Sequence, residues 1–199
     1  MSEKNVRKID RRAQRSRDAL GNALIKLMYE KPFDSITVQD VLDEAGVSRS
    51  TFYTHFRDKD DLFLSDTDEF FQHMANLLTV QQEASQRVAP VREMFDHVAE
   101  IGPLYDALVA SGKFQDAMEL AEAHFARGIE RRLAQLLPAR SNDNRAALAH
   151  AFAGAMFSLM AWWLDHGKPA SPAQMDAMFH QLVWAGANAS GTAQSGSEI

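Results

Sequence analysis

The chain has 199 residues, 46% of them hydrophobic and 24% charged, with a net charge of −6, values ordinary for a globular protein of one large or two small domains. It contains no cysteine, which excludes disulfide frameworks, thiolate nucleophiles, thiolate zinc sites and iron–sulfur clusters and fits a reducing compartment. The start, MSEKNVRKIDRRAQRSR, lacks the apolar core of a secretory signal, so a cytoplasmic location is expected.

The charge is unevenly divided. Residues 1–59 hold 12 Lys/Arg against 9 Asp/Glu, whereas residues 60–199 hold 9 against 18. The acidity therefore belongs to the second part, and the basic excess of residues 1–20 can attract a polyanion whatever the total charge. Residues 1–13 are expected as a basic flexible arm.

From Arg15 to Lys31, Leu20, Leu24, Leu27 and Met28 recur at helical spacing, and Pro32 ends that helix. Thr37 with Asp40 three residues on has the form of a capping box, opening a helix whose inward face is Val38, Val41 and Leu42 and which Gly46 stops. Ser48 can cap a short helix to about His55. Asp58 with Asp61 starts a long one running through Leu62, Phe63, Phe70, Met74 and Leu77 to about Thr79.

After the polar QQEASQ, helical patterns cover Val88 to Ile101, Pro103 to Ala110, Phe114 to Leu137, Asn142 to His166 and Ser171 to Ala189, separated by Gly and Pro. The tail ASGTAQSGSEI reads as disordered. No stretch alternates with the period of a strand. The longest apolar run, Ala146 to Leu164, is broken by His150 and Ser158 and reads as a buried helix rather than a membrane span.

Two helices joined by a short glycine turn are the sequence form of a helix-turn-helix. The second helix divides its labour: Val47, Phe52 and Phe56 are apolar anchors, while Arg49, Ser50, Thr51, Tyr53, Thr54 and His55 are polar. Arg49 can donate twice to a guanine edge, Ser50 and Thr51 can reach bases, and Tyr53 and His55 can bond phosphates. Lys59 stands in the first turn of the next helix, where free N–H groups favour an anion.

The stretch TVQDVLDEAGVSRSTFYTHFRDKDDLF resembles the DNA-binding signature of the TetR family of bacterial transcriptional regulators. Ile36-Thr37, Ala45-Gly46-Val47-Ser48, Phe52-Tyr53-x-His55-Phe56 and Asp58-Lys59-x-x-Leu62 fall in order, and the match covers about residues 12–64. The resemblance implies an all-α fold of about nine helices: a three-helix helix-turn-helix domain (14–60), then a helical ligand-binding and dimerisation bundle (61–189). It implies DNA contacts from Thr37, Gln39, Ser48, Arg49, Ser50, Thr51, Tyr53, Thr54 and His55, with Lys59 on a phosphate, and gives the basic arm a role on phosphates or in the minor groove.

It further implies a homodimer through the last two long helices. Asn142 to His166 is apolar nearly all round, with small residues that permit close approach, and Met175, Met178, Phe179, Leu182 and Val183 form a stripe on the final helix. Met74, Met94, Phe95, Met118, Phe125, Phe152, Met156 and Trp163 are candidates to line a pocket for a small apolar ligand, and are equally what a core is made of. His73, His97, His124, His150, His166 and His180 lack metal-ligand spacing, so no metal or cofactor is expected. GxSxG, P-loop and GxGxxG signatures are missing, so no enzyme is expected. The expected function is a repressor on palindromic double-stranded DNA, released by a ligand. The alternative is a helical protein-interaction module that keeps the fold without an operator.

Overall fold

The structure, a computed structural model, describes the backbone of residues 3–80 and 85–189 and the side chains of residues 13–78 and 85–186. Its described elements are α1 (Glu3–Glu30), a 3-10 turn (Phe33–Ser35), α2 (Val38–Ala45), α3 (Arg49–His55), α4 (Lys59–Ala75), α5 (Leu77–Val80), α6 (Val91–Glu100), α7 (Gly102–Ala110), α8 (Lys113–Leu136), α9 (Asn142–Asp165) and α10 (Pro172–Ala189). Nine of the ten α-helices exceed one turn, the exception being the four-residue α5, and no described residue lies in a strand. The fold is all-α. The tail from residue 190 lies outside the described residues.

The chain divides into two compact units, Met1–Glu69 with Ile101–Ala117, and Phe70–Glu100 with Met118–Ile199. In the first, Leu20, Leu24, Leu27 and Met28 of α1, Val41 and Leu42 of α2, Phe52 and Phe56 of the α3 region and Leu62 and Phe63 of α4 are all buried. The spacing that marked α1 as a helix is thus the spacing of its inward face. Phe33, pressed edge-on against Phe63 with centroids 5.7 Å apart, closes this core beside the 3-10 turn that follows Pro32. α1 begins twelve residues before the predicted Arg15: from Glu3 on, the stretch expected as an arm is a helical extension of α1. Its side chains lie outside the described residues.

α1 and α4 approach closely at Gly21, where an added Cβ would stand 2.2 Å from an Asp66 carboxylate oxygen. Any larger residue there would have to displace that side chain. Burial at this contact, with Glu69 and Asp18 nearby, pushes the Asp66 carboxyl above its ordinary range, against the opposing pull of Arg17. The stretch 101–117, which follows α6 in sequence, belongs with this unit, and its α7 packs on α1.

In the second unit α6 packs along α10. Phe95 of α6 meets Trp163 of α9 at 5.0 Å, and Phe125 of α8 meets Phe157 edge-on at 5.3 Å. The buried Trp163 donates its indole N–H to the Ala170 carbonyl at 2.8 Å, so no polar atom is stranded. Gly128 lets α8 cross the end of α4, since an added Cβ would lie 2.7 Å from the Ala75 carbonyl oxygen.

Two further boundaries differ by several residues from the sequence expectation. The long helix predicted to Thr79 ends at Ala75, where the Asn76 side chain donates to the Gln72 carbonyl at 2.7 Å and competes with the helical ladder. The helix predicted from Val88 starts at Val91, because Pro90 disfavours helical geometry for Ala89 before it. Residues 85–90 are nonetheless firmly anchored. Arg87 binds both Glu93 (2.5 Å) and Asp176 (2.9 Å), Val88 N–H donates to His180 Nε2 (3.0 Å), and Trp184 donates to the Gln86 carbonyl (2.9 Å).

Candidate nucleic-acid interface

The local geometry of α2 and α3 follows from three short side chains and one glycine. Thr37 caps α2 as a complete capping box: its hydroxyl accepts from Asp40 N–H at 3.1 Å, and the Asp40 carboxylate accepts from Thr37 N–H at 2.7 Å. Lys31 adds an ion pair at 2.9 Å, and with the Thr37 bonds it holds the Asp40 carboxyl well below the usual carboxylate range. Gly46 ends α2 in the left-handed region (φ 63), and Val47 N–H closes back on the Leu42 carbonyl at 3.2 Å. Ser48 then caps α3 by accepting from Thr51 N–H at 3.3 Å.

α3 is set by its anchors. Phe52 and Phe56 are buried, and the Arg17 guanidinium lies 5.2 Å from the Phe56 ring centroid. Val47 is half-buried. With these side chains turned inward, Arg49, Ser50, Tyr53 and Thr54 are exposed, and Thr51 and His55 half-exposed. Tyr53 is 51% exposed while its ring stands edge-on to Phe52 at 5.3 Å, which fixes its direction.

Seven of the candidate contacts fall into three groups. Gln39 and Arg49 are brought together across the turn: Arg49 Nη2 donates to Gln39 Oε1 at 2.8 Å. Ser48, Ser50 and Thr51 form a hydroxyl cluster, with Ser48 Oγ at 3.0 Å from Ser50 Oγ and 2.8 Å from Thr51 Oγ1. Thr37 and Thr54 use their hydroxyls locally, Thr37 on Asp40 and Thr54 on the Ser50 carbonyl at 2.8 Å, so each offers chiefly its methyl group.

Lys59 is placed differently from the phosphate contact foreseen for it. Its ammonium donates to the carbonyls of Phe33 (2.7 Å) and Ile36 (2.9 Å) and lies 4.5 Å from the Phe33 ring centroid. It is bonded inside the unit, holding the segment that leads into α2. Sequence reasoning passed over Arg57, whose side chain is 84% exposed while it pairs with Asp61 at 3.1 Å. Its position between Phe56 and Asp58 was the available signal.

The eight candidate ligand residues all lie in the second unit. Met74, Met94, Phe95, Phe125, Met156 and Trp163 are buried, and Met118 and Phe152 half-buried. One apolar groove of about 620 Å³ runs between α9 and α10, lined by Ala151, Phe152, Ala155, Ser158, Leu159, Trp162, Phe179, Leu182 and Val183. Phe152 is the one ligand candidate among them. α9 is also long and apolar enough to cross a membrane by length and composition, but Ala149, Ala153, Met156, Phe157, Met160 and Trp163 bury one of its faces in the unit's core.

Comparison with known proteins agrees with this geometry. The sequence model described as bacterial regulatory proteins, tetR family, matches residues 22–65. Among solved structures, a TetR transcriptional regulator from Streptococcus agalactiae is 22% identical, covers 89% of this chain and 98% of its own, and superposes with a TM-score of 0.60. The dihydroxyacetone kinase operon activator DhaS is 15% identical over 85% of this chain and 94% of its own, with a TM-score of 0.64. The fatty acid degradation regulator FadR from Bacillus halodurans is 14% identical over 84% and 94%, with a TM-score of 0.60. Residues 22–65 thus match the sequence model of the tetR family of bacterial regulatory proteins, and the chain shares its all-α fold with these solved regulators.

Proposed function

We propose that the protein is a homodimeric repressor that binds a palindromic operator through α2 and α3 and leaves it when a small apolar ligand binds the second unit. The observation that carries the reading is the sidedness of α3: Phe52 and Phe56 are buried, while Arg49, Ser50, Tyr53 and Thr54 are exposed on the same two turns. Arg49 to Thr51 then address base edges and Tyr53 and His55 the backbone.

So short a reading helix makes few contacts, and a twofold pair placed about one helical turn of DNA apart doubles them. Support for pairing comes from α9 and α10, where Trp162 (44%), Met178 (37%) and Leu182 (62%) are exposed. Apolar residues at that density around a groove mark an interaction face. Release requires a ligand with higher affinity for the DNA-incompetent state, and the Met- and Phe-rich core of the second unit suits an apolar one.

Selection from random duplexes tests the reading. The expected result is one discrete palindrome, bound with an affinity that falls steeply with salt and is lost in Arg49→Ala without loss of helix content. Enrichment of no sequence overturns it. Transcription from a promoter carrying that palindrome, run with and without protein, tests the sign: a fall with protein is expected, and a rise would make the protein an activator, as one structural neighbour is named.

A further inference from the structure

The contact between Gln39 and Arg49 has a third member. Gln39 Nε2 donates to Asp43 Oδ1 at 2.7 Å, one turn further along α2, and Gln39 Oε1 accepts from Arg49 Nη2 at 2.8 Å. An ionised carboxylate can only accept, so it binds the NH2 end of the amide and never the oxygen. The other end of a planar amide must then face away from Asp43, and that is the end Arg49 holds. Asp43 thereby selects one of the two flip states of Gln39. Among the described residues Arg49 forms no ion pair, so the neutral Gln39 oxygen is what orients it.

We propose that Asp43 is a positioning residue for Arg49: it fixes the Gln39 amide, and the amide presets the guanidinium for a guanine edge. The inference rests on reading residues 37–59 as the DNA face. One Arg49 N–H group is engaged by Gln39, and the remaining donors of the fork stay available for the two acceptors that guanine presents in the major groove. A guanidinium held before encounter loses less freedom on binding the right base than one that must first be ordered. Asp43 thus acts on sequence discrimination without touching DNA, and its own charge opposes DNA uniformly.

Asp43→Asn tests this, because an asparagine amide can present either a donor or an acceptor to Gln39 and so removes Asp43's share of the flip selection, leaving only Arg49 to hold the amide, while keeping size and hydrogen bonding. Asp43 is exposed, so the variant is expected to fold. Affinities are measured for the selected duplex and for duplexes changed at the one base pair that Arg49→Ala ceases to discriminate. The parent is expected to discriminate there by about tenfold or more, and Asp43→Asn to lose most of that ratio while keeping discrimination elsewhere and the salt slope. An unchanged ratio overturns the proposal, including the case in which affinity for every duplex rises together, the signature of a lost repelling charge alone. A second measurement needs no DNA: the NMR order parameter of the Arg49 Nε–H vector in the free protein should fall in Asp43→Asn. Equal order in both proteins also overturns the positioning role. A parent that enriches no duplex overturns the DNA reading instead, while the order parameters still decide whether Asp43 presets Arg49.

Discussion

Tyr53 and Lys59 show how similar expectations separate once side chains have surroundings. Tyr53 keeps its ring edge-on to Phe52 while the residue is half exposed, so Tyr53→Phe should leave the fold intact. On the proposed reading it should weaken binding by about 1 kcal/mol, equally for all sequences, as measured by titrating several duplexes. Lys59 donates to two backbone carbonyls and faces the Phe33 ring. Lys59→Met should therefore cost about 2 kcal/mol of stability in denaturant unfolding while leaving the salt slope of DNA binding unchanged. A slope reduced by about one unit would return Lys59 to a phosphate. The partners of Lys59 lie 23 and 26 residues away in sequence, so nothing in its local context announced them, whereas Phe52 adjoins Tyr53 in the chain and the outward placement of Tyr53 was legible.

At the scale of the element, caps and close approaches decide. Thr37 closes a reciprocal pair with Asp40, and Thr37→Ala should cost about 1 kcal/mol, read as a lower unfolding midpoint. The Asp40 carboxyl is held below its ordinary range by Lys31 and Thr37. Its contribution is therefore present above the unfolded value of about 3.9 and is lost as pH falls below it. Acid should open the α2 cap first, visible in amide exchange of Thr37 and Asp40. Asp66 has the opposite sign. Burial beside Gly21 raises its carboxyl, so stability is fullest below the unfolded value and is lost as pH rises through the folded one. Asp66→Asn should consequently raise the melting temperature at pH 7 and change it little near pH 3.5. An equal gain at both pH values would mean that the charge is not what burial opposes.

On the scale of the whole molecule, the proposed pairing has the sharpest test. Leu182 is 62% exposed beside the groove between α9 and α10, and Leu182→Glu would bury an uncompensated charge in any interface there. Analytical ultracentrifugation should show a dimer for the parent and a monomer for Leu182→Glu at micromolar concentration, with helix content unchanged. A dimer that persists would move the interface to another face.

What the sequence determined by itself is what short-range chemistry encodes. The Thr37–Asp40 box, the left-handed Gly46, the Ser48 cap and the inward spacing of Leu20, Leu24, Leu27 and Met28 each depend on residues within two turns of one another, and the structure shows every one of them. The tertiary structure decided what depends on residues far apart in the chain. It joined residues 101–117 to the reading unit and bonded Lys59 to the segment before α2. It also chose which face of α9 is core and which remains exposed. A helix apolar nearly all round carries no stripe from which to read its inward side; only the packing of α6, α8 and α10 supplies that direction.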